Sequence, residues 1–484
     1  MPALLFMLIL IVVNATRAAT AATDDAARRP NIVLVLVDDL GYGDLSCHGN
    51  PVFKTPHIDR LHGESVRLTA FCVSATCAPT RAALMTGRHE FRSGVVDTIG
   101  GRERLSLDAL TLPERLRQAG YVTGLFGKWH LGATGRWRPE QRGFDRVVTA
   151  PGDTQHNALA PTLLHDGEIR QHTTYREDVL FDEAIAFIEK EKDRPFFCMI
   201  PTYAPHAPLV AHESLIADVS RTFPEAKPAA FYAMIAAVDN NIGRLLRRLG
   251  DMRLDEQTIV ILISDNGGTY GVDRWNADMR GCKGAAWHGG TRAVSFWRWP
   301  GKWRPRDVST LTAHVDVMPT LSALAGCENT QPKQQSFDGV SLRDCLAHDG
   351  NLPLRHVFQH VGRWPRGQAL RHAECFCGVR DGPFLLVRAT PCDDPECRGI
   401  CRGTVPWRQE KGYTGDFPFH YALTPGRDWA LYDIHADPAC RHNLAAQQLG
   451  VVEKLKSAYS AWWQEVAPIV NAADAALPDH STRP

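Results

Sequence analysis

The chain has 484 residues, of which 44% are hydrophobic and 22% are charged, a composition typical of a globular protein. Its 54 basic side chains balance 54 acidic ones, and this zero formal charge argues against general binding to nucleic acid or to a membrane surface. A chain of this length exceeds what one hydrophobic core usually supports, so we expect a large domain and a smaller one.

The amino-terminal residues have the pattern of an export signal. Residues 3–13 are apolar, a run too short to span a bilayer comfortably, and small residues follow at 18–22 as at a signal-peptidase site. We therefore expect residues 1–22 to be a signal peptide and the protein to be secreted or periplasmic, with no membrane span after signal removal. A signal anchor is the alternative, because no Lys or Arg precedes the apolar run.

Apolar runs alternate with amphipathic stretches over the first two thirds of the chain. Continuous apolar runs, typical of strands buried on both faces of a parallel sheet, occur at 31–37, 121–126, 195–200 and 258–264. A capping box of Thr111 and Glu114 opens one of the helices, which are predicted at 58–68, 112–119, 175–192, 229–249 and 315–325. This alternation predicts an α/β fold with a mostly parallel central sheet between helices.

The pattern changes after residue 349. Short apolar runs and a terminal helix predicted at 451–466 indicate a small C-terminal α+β domain at 350–472, after a large domain at 30–349 and before a tail at 473–484. This small domain contains five cysteines: Cys375, Cys377, Cys392, Cys397 and Cys401. We favour disulfides over a structural zinc cluster because their spacing matches no common zinc pattern; their pairing stays open.

Oxygen-bearing side chains follow two of the predicted strands. Asp38 and Asp39 come directly after the first strand, and Asp265 and Asn266 come directly after the strand at 258–264. Since open α/β sheets place their sites at the carboxyl ends of strands, we expect these side chains to meet and to hold a hard cation, calcium or magnesium. Asp and Asn are also common turn residues, but two such pairs with a cysteine motif between them favour the metal site.

The cysteine motif is Cys-Ala-Pro-Thr-Arg at residues 77–81, at the start of a predicted helix. Proline is well tolerated in a first helical turn, which places Cys77 at or just before the helix N-terminus. There the helix dipole and the nearby Arg81 are expected to lower the pKa of the thiol. On this reasoning alone, Cys77 is a thiol nucleophile, a disulfide partner or a buried cysteine.

Residues 77–89, with Cys-Ala-Pro-Thr-Arg followed by Leu-Met-Thr-Gly-Arg, resemble the sulfatase signature. In that family the cysteine is oxidised to formylglycine by a formylglycine-generating enzyme. The resemblance therefore implies that Cys77, as a formylglycine hydrate, is the catalytic nucleophile and that Arg81 holds it in place. It also implies that the metal, usually calcium in this family, is bound by Asp38, Asp39, Cys77, Asp265 and Asn266.

Three further segments are similar to sulfatase motifs. Gly-Lys-Trp-His-Leu-Gly at 127–132 implies that Lys128 binds the sulfate and nucleophile oxygens and that His130 positions or deprotonates the hydrate. Ala-Pro-His-Ala-Pro at 204–208 implies that His206 contacts the sulfate ester, and Lys283 matches the Lys that faces the leaving oxygen.

The resemblance runs from about residue 30 to residue 326 and implies the fold of the alkaline phosphatase superfamily. One departure stands out. Many relatives carry Glu-Gly-Gly shortly after the lysine, whereas this chain has His288 before the two glycines, so the role of that Glu does not transfer.

The implied reaction is hydrolysis of sulfate monoesters, with the nucleophile attacking sulfur, His206 or Lys283 protonating the leaving oxygen, and His130 accepting a proton. We favour sulfated glycans over aryl sulfates as substrates. A phosphodiesterase or phosphonate hydrolase with the same formylglycine site, and a non-catalytic sulfated-glycan-binding relative, are the alternatives. Aromatic side chains that could stack on sugar rings are Trp287, Trp297, Trp299 and Trp407.

Overall fold

The computed structural model describes residues 29–153, 157–328, 336–348, 350, 352–390 and 428–475. The expected signal peptide and most of the expected tail lie outside these residues, as do Trp407 and three of the clustered cysteines, Cys392, Cys397 and Cys401. Among the helices in the described ranges, none combines the length and the apolar composition that crossing a membrane requires.

A ten-stranded sheet forms the centre of the fold. In chain order its strands are β1 (Asn31–Val37), β2 (Val66–Leu68), β4 (Val122–Phe126), β5 (Arg146–Thr149), β6 (Thr162–His165), β7 (Glu168–Gln171), β8 (Phe196–Pro201), β9 (Thr258–Ser264), β10 (Ser295–Arg298) and β11 (Arg306–Val308). Their order across the sheet is β11-β2-β10-β9-β1-β8-β4-β5-β6-β7. The central strands β9, β1, β8, β4 and β5 all run parallel, which confirms the predicted sheet. A separate parallel pair joins β3 (Phe71–Cys72) to β12 (Thr312–Ala313).

Helices cover both faces of this sheet. They are α1 (Pro56–Gly63), α2 (Cys77–Thr86), α3 (Leu112–Gln118), α4 (Arg176–Glu191), α5 (Glu213–Thr222), α6 (Ala229–Asp251), α7 (His288–Thr291), α8 (Val317–Leu324) and α9 (Arg343–Ala347). Side chains alternate along a strand, so β1 sends Val33, Val35 and Val37 into the core beneath α4 and α6. Its remaining apolar residues, Ile32, Leu34 and Leu36, enter the core beneath α2 and α8.

The predicted helix at 58–68 is wrong in its second half. Helix α1 ends at Gly63, and Val66–Leu68 is strand β2, which pairs with β10 on one side and β11 on the other. Two partner strands supply backbone hydrogen bonds on both edges of these residues. This long-range pairing outweighs the local helical pattern.

The C-terminal region is a smaller α+β unit, as predicted. Its four-stranded antiparallel sheet consists of β13 (Val357–His360), β14 (Cys377–Asp381), β15 (Phe384–Arg388) and β16 (Ala430–Asp433). Helix α10 (Leu449–Ala475) packs against it and is longer than the predicted helix at 451–466. The interface is rich in buried aromatic side chains, including Trp364, Tyr459, Trp462 and Trp463.

Candidate active site

The ends of β1 and β9 bring together the four oxygen-bearing side chains. The two strands are adjacent and parallel with Val37 opposite Ser264, so Asp38 and Asp265 leave the sheet side by side. The Asp39 N–H donates to Asp265 Oδ1 at 3.2 Å, and Asn266 Nδ2 donates to Asp39 Oδ1 at 3.0 Å. All four side chains are buried.

Cys77 is the first residue of α2 and faces this group. Its Sγ and one carboxylate oxygen from each of Asp38 and Asp265 lie within 4.8 Å of one another, and the same holds for Cys77 with Asp39 and His206. Burial raises the pKa of the Cys77 thiol to about 11, despite the opposing charges of Lys128 and Lys283. The expected lowering of this pKa is therefore wrong, because desolvation outweighs the positive surroundings.

Each carboxylate faces a cation. Lys128 Nζ lies 2.7 Å from Asp38 Oδ2, and Lys283 Nζ donates to Asp39 Oδ1. Arg81 Nη2 lies 2.8 Å from an oxygen of Asp265. Arg81 Nη1 also donates to the Lys128 carbonyl at 2.7 Å, which fixes the lysine loop against helix α2.

These cations set the charge state of the carboxyl groups. Burial opposes ionisation of Asp38, but Lys128, followed by His206, Arg81 and Lys283, holds its pKa well below the usual range. At Asp265, burial and the neighbouring Asp38 charge outweigh Arg81 and raise the pKa to about 7. Asp38 is therefore ionised at neutral pH, whereas Asp265 is only partly ionised.

A divalent cation fits this arrangement. Asp38 Oδ1 and Asn266 Oδ1 are both buried, and within the described part of the chain neither accepts a hydrogen bond. The donors are carboxylate and amide oxygens, which calcium and magnesium prefer. The residues that could hold the ion are thus Asp38, Asp39, Asp265 and Asn266, with Cys77 beside them.

His130 is a neutral base in this setting. It lies in the loop after β4 with a φ of 60°, and its Nε2 donates to the Thr98 carbonyl at 2.9 Å, so Nδ1 carries the lone pair. Burial, then Lys128 and Arg81, hold its pKa well below the ordinary value of an imidazole. The ring is therefore unprotonated at neutral pH.

His206 is the opposite tautomer, with its proton on Nδ1 rather than on Nε2. Its Nδ1 donates to the Ala207 carbonyl at 2.6 Å, so Nε2, which lies 3.8 Å from Asp39 Oδ2, carries the lone pair. Burial and then Lys283 lower its pKa to about 4. Without a bound anion, His206 is therefore neutral at physiological pH and has no proton on the nitrogen that faces Asp39.

The family model described as Sulfatase matches residues 30–327, more than half of the chain. The chain belongs to the sulfatase family. Arylsulfatase A of Homo sapiens is 32% identical, with 91% of this chain and 88% of that protein covered. N-acetylgalactosamine-6-sulfatase of Canis lupus familiaris is 30% identical, with 71% of each covered. The crystal structure of Ps i-CgsB in complex with k-i-k-neocarrahexaose shares the fold, with a TM-score of 0.74, 24% identity, and 94% of this chain and 96% of that one covered.

These relatives confirm three of the predictions made from the sequence. The family is sulfatase within the alkaline phosphatase superfamily, the fold is the expected α/β architecture with a smaller C-terminal unit, and the enzyme is a sulfuric ester hydrolase. Sulfatases use a divalent metal and formylglycine, a pair of requirements that the oxygen donors and Cys77 of this sulfatase match.

Two residues that position the site were missed by the sequence reasoning. The Ala204 N–H, two residues before His206, donates to Glu177 Oε1 at 2.9 Å. Glu177 is fully buried, and Arg176 Nη2 lies 3.2 Å from the same oxygen, Glu177 Oε1. In the sequence, Arg176 and Glu177 look like ordinary charged residues at the start of a helix. No sequence spacing links them to the loop after β8 that contains Ala204.

Three residues singled out in the sequence lie elsewhere in this sulfatase. His288 is buried beside Arg380, with 3.4 Å between its Nδ1 and Arg380 Nη1. Trp287 and Trp297 are both 0% exposed, so the idea that they stack on a sugar is wrong. Tryptophan occurs both in protein cores and on surfaces that stack on sugar rings, and composition alone does not separate these two roles.

Proposed function

We propose that this sulfatase hydrolyses sulfate monoesters with a formylglycine hydrate, made from Cys77, and one calcium ion. The observation that carries the proposal is the meeting of Asp38 and Asp265 with Cys77, within 4.8 Å, at the carboxyl edge of the sheet. Magnesium is the alternative ion, since both prefer oxygen ligands. The ion, when bound, would neutralise sulfate charge, and the hydrate would supply the hydroxyl nucleophile.

Lys128 and Lys283 bind the sulfate group in this proposal. Their positive charges act on Cys77 from two different loops, and both side chains are buried, where a charge interaction is stronger than in water. Sulfate oxygens placed between them would gain stabilisation as negative charge develops in the transition state. Arg81 acts as a positioning residue, because its guanidinium is already bound to Asp265 and to the Lys128 carbonyl.

Lys283 is the better candidate for protonating the leaving oxygen. Burial works against its charge, but Asp39, Cys77 and Asp38 together outweigh that effect and raise its pKa, so the ammonium retains its proton at neutral pH. His206 lacks a proton on Nε2, because Nδ1 uses its own proton for the Ala207 carbonyl. We therefore assign proton donation to Lys283 and a sulfate-ester contact to His206.

His130 removes a proton from the hydrate. Its Nε2–H is held by the Thr98 carbonyl, which fixes the tautomer with the lone pair on Nδ1. Its low pKa keeps the ring neutral, so Nδ1 carries no proton before the reaction. Removal of this proton would allow sulfate to leave and the aldehyde to form again.

Mass spectrometry of the peptide containing Cys77, from protein made in its native host, tests the modification. We expect the mass of an aldehyde in place of a thiol, formed by a formylglycine-generating enzyme. Cys77→Ala should lower kcat/KM for an aryl sulfate by about 10⁴-fold or more, while Cys72→Ala, at a nearby buried cysteine, should not. An unmodified thiol at Cys77 in native protein would contradict the proposal and support a thiol or a non-catalytic sulfate-binding role.

Kinetics with paired substrates separate sulfatase from phosphodiesterase or phosphonate hydrolase activity. We expect kcat/KM for an aryl sulfate to exceed that for the matching aryl phosphodiester and phosphonate monoester. The set of Lys128, His130, His206 and Lys283 supports this order, because it resembles the complete sulfatase set. Preference for either phosphorus ester would overturn it.

We further propose a sulfated glycan as substrate and export as the route to it. The similarity to N-acetylgalactosamine-6-sulfatase, over 71% of this chain, supports a sulfated sugar. A panel of sulfated mono- and oligosaccharides tests this, and activity confined to aryl sulfates would contradict it. Amino-terminal sequencing of the exported protein tests cleavage after about residue 22, the end of the expected signal peptide.

A further inference from the structure

A second group of metal-ligating side chains lies outside the active site. Cys47, His48 and His62 each offer one ligand atom, and these atoms lie within 4.8 Å of one another. Cys47 and His48 belong to the short 3-10 turn Ser46–His48, and His62 lies in the last turn of α1. All three line one cavity of about 350 Å³, so an ion can reach them from that side.

The ring of His48 is held in the form that metal ligands require. Its Nδ1 lies 2.8 Å from the Tyr42 carbonyl oxygen, and because a carbonyl only accepts, Nδ1 must carry the proton. Nε2 therefore carries the lone pair. A histidine that binds a metal through one nitrogen usually donates the other N–H to a carbonyl or carboxylate in this way.

Packing fixes the orientation of both rings. Tyr42 stacks on His48 with 3.6 Å between ring centroids. His62 meets His48 edge-on at 5.8 Å and Phe296 edge-on at 5.1 Å. The Cys47 N–H donates to Asp59 Oδ1 at 3.0 Å, which anchors the turn to α1 and places a carboxylate near the thiol. Ring packing thus holds the two histidines in place, and the hydrogen bond to Asp59 holds the backbone of Cys47.

We propose that Cys47, His48 and His62 bind a transition-metal ion of the zinc class, with a fourth position open to the cavity. One sulfur and two imidazole nitrogens suit zinc, whereas the oxygen donors of the active site suit calcium. Zinc–ligand bonds of about 2.0–2.3 Å place tetrahedral ligand atoms about 3.3–3.8 Å apart, so side-chain shifts of about 1 Å complete the site.

Binding changes no oxidation state. The S–H bond of Cys47 breaks, its proton goes to solvent, and the sulfur electron pair forms the bond to the metal. The two imidazoles bind in their neutral forms through existing lone pairs. One proton is therefore released for each ion bound.

Cobalt(II) is the probe for this site, because a thiolate bound to cobalt gives a charge-transfer absorption band. The full chain is titrated with Co²⁺ in excess calcium, which occupies the oxygen donors of the active site. We expect a band that saturates at one ion per chain, disappears in Cys47→Ser and persists in Cys77→Ser. No thiolate band in the native chain, or a band that depends on Cys77 and not on Cys47, would overturn the proposal.

Melting temperature gives a second readout with zinc itself. Zinc at about 100 times its Kd should raise the melting temperature of the native chain by about 3 °C. The same zinc should not raise it in Cys47→Ser or in His62→Gln, a half-buried helix position where folding is least at risk. His442→Gln, at an exposed histidine, is the control and should behave as the native chain does.

Aryl sulfate turnover checks that these variants fold. Because Cys47 and His62 lie outside the catalytic set, kcat/KM of both variants should match that of the native chain in calcium. Equal stabilisation of the native chain and of both variants by zinc would show that the ion binds elsewhere, and would overturn the proposal.

Discussion

Two lysine–aspartate pairs of this sulfatase have the same length in different surroundings. Lys128 Nζ lies 2.7 Å from Asp38 Oδ2 at the sheet edge, and Lys454 Nζ lies 2.7 Å from Asp381 Oδ2 in the C-terminal region. The side chains of the first pair are 2% and 0% exposed, whereas Lys454 is 60% exposed. Breaking a buried pair costs about 3–5 kcal/mol, but a surface pair contributes about 0–1 kcal/mol. Two pairs with the same distance between nitrogen and oxygen thus differ in their contribution to stability, because only one of them is buried.

The two regions are stable for different reasons. The sheet edge concentrates buried charges that are held by one another, as the proposed binding of sulfate and a metal ion requires. The C-terminal region instead buries aromatic rings: Trp463 stacks on His360 at 4.4 Å between centroids and meets Trp364 edge-on at 5.9 Å. Apolar burial of this kind gives stability without preparing a site for chemistry.

Within this comparison of the two regions, the largest expected effect comes from removing the buried Lys128. Lys128→Met should lower kcat/KM for an aryl sulfate by about 10³-fold, because a buried group that stabilises transition-state charge is lost. Lys454→Met removes a lysine at the same 2.7 Å distance from an aspartate and is the matched control. Steady-state kinetics in calcium measures both variants, with melting curves to confirm folding.

The control should keep its activity within about twofold and its stability within about 1 kcal/mol. If both variants lost activity equally, the effect would belong to the lysine–aspartate pair in general rather than to its place at the sheet edge. That result would remove Lys128 from the proposed sulfate-binding set.

The next effect concerns stability in the C-terminal region. Trp463→Ala should lower the free energy of unfolding of that region by about 3–5 kcal/mol, because it leaves a cavity among aromatic side chains. Denaturant unfolding followed by fluorescence measures the change, and kcat of the folded enzyme should be unaffected. Trp299→Ala is the control, since Trp299 is partly exposed and should cost less. Loss of kcat in Trp463→Ala without unfolding would show that the two regions are coupled.

The sequence predicts some strands of the sheet much better than others. The strands at 31–37 and 258–264 were predicted to the residue, because a strand buried on both faces is a continuous apolar run. Strand β2 was missed because the residues it pairs with are 229 or more positions away in the chain. Patterns record local preference, whereas pairing across the sheet depends on the whole fold.

The site shows the same limit. Motif resemblance identified Lys128 and Lys283 as site residues. That they pair with Asp38 and Asp39 is visible only in the folded chain. The thiol pKa of Cys77 was predicted in the wrong direction, because a helix start is visible in sequence and the depth of burial is not. Glu177 carries no signal at all, since its contact is with a backbone N–H of a distant loop.

The smallest expected effect concerns Asp239, a buried carboxylate that, unlike Asp38, has no lysine or arginine partner in the described chain. Asp239 is 2% exposed and accepts from the backbone N–H groups of Ile58 at 2.7 Å and His57 at 3.3 Å, at the start of α1. Burial raises its pKa to about 6, although these N–H groups and His57 oppose the rise. The folded pKa thus exceeds the unfolded value of about 3.9, so stability is lost as pH rises from about 4 through about 6.

Asp239→Asn removes the charge and retains one oxygen acceptor for the Ile58 N–H, while its NH2 group replaces the oxygen that accepts from the His57 N–H. The lost acceptor changes stability by a similar amount at every pH, so the pH-dependent part of the difference reports the charge. Between pH 4 and pH 7 its free energy of unfolding should therefore gain about 2–3 kcal/mol relative to the native chain. Urea unfolding of both proteins at several pH values measures the difference, in which the titration of all other groups cancels. A difference that stays constant with pH would show that the N–H groups of α1 compensate the buried charge of Asp239 as fully as Lys128 compensates that of Asp38.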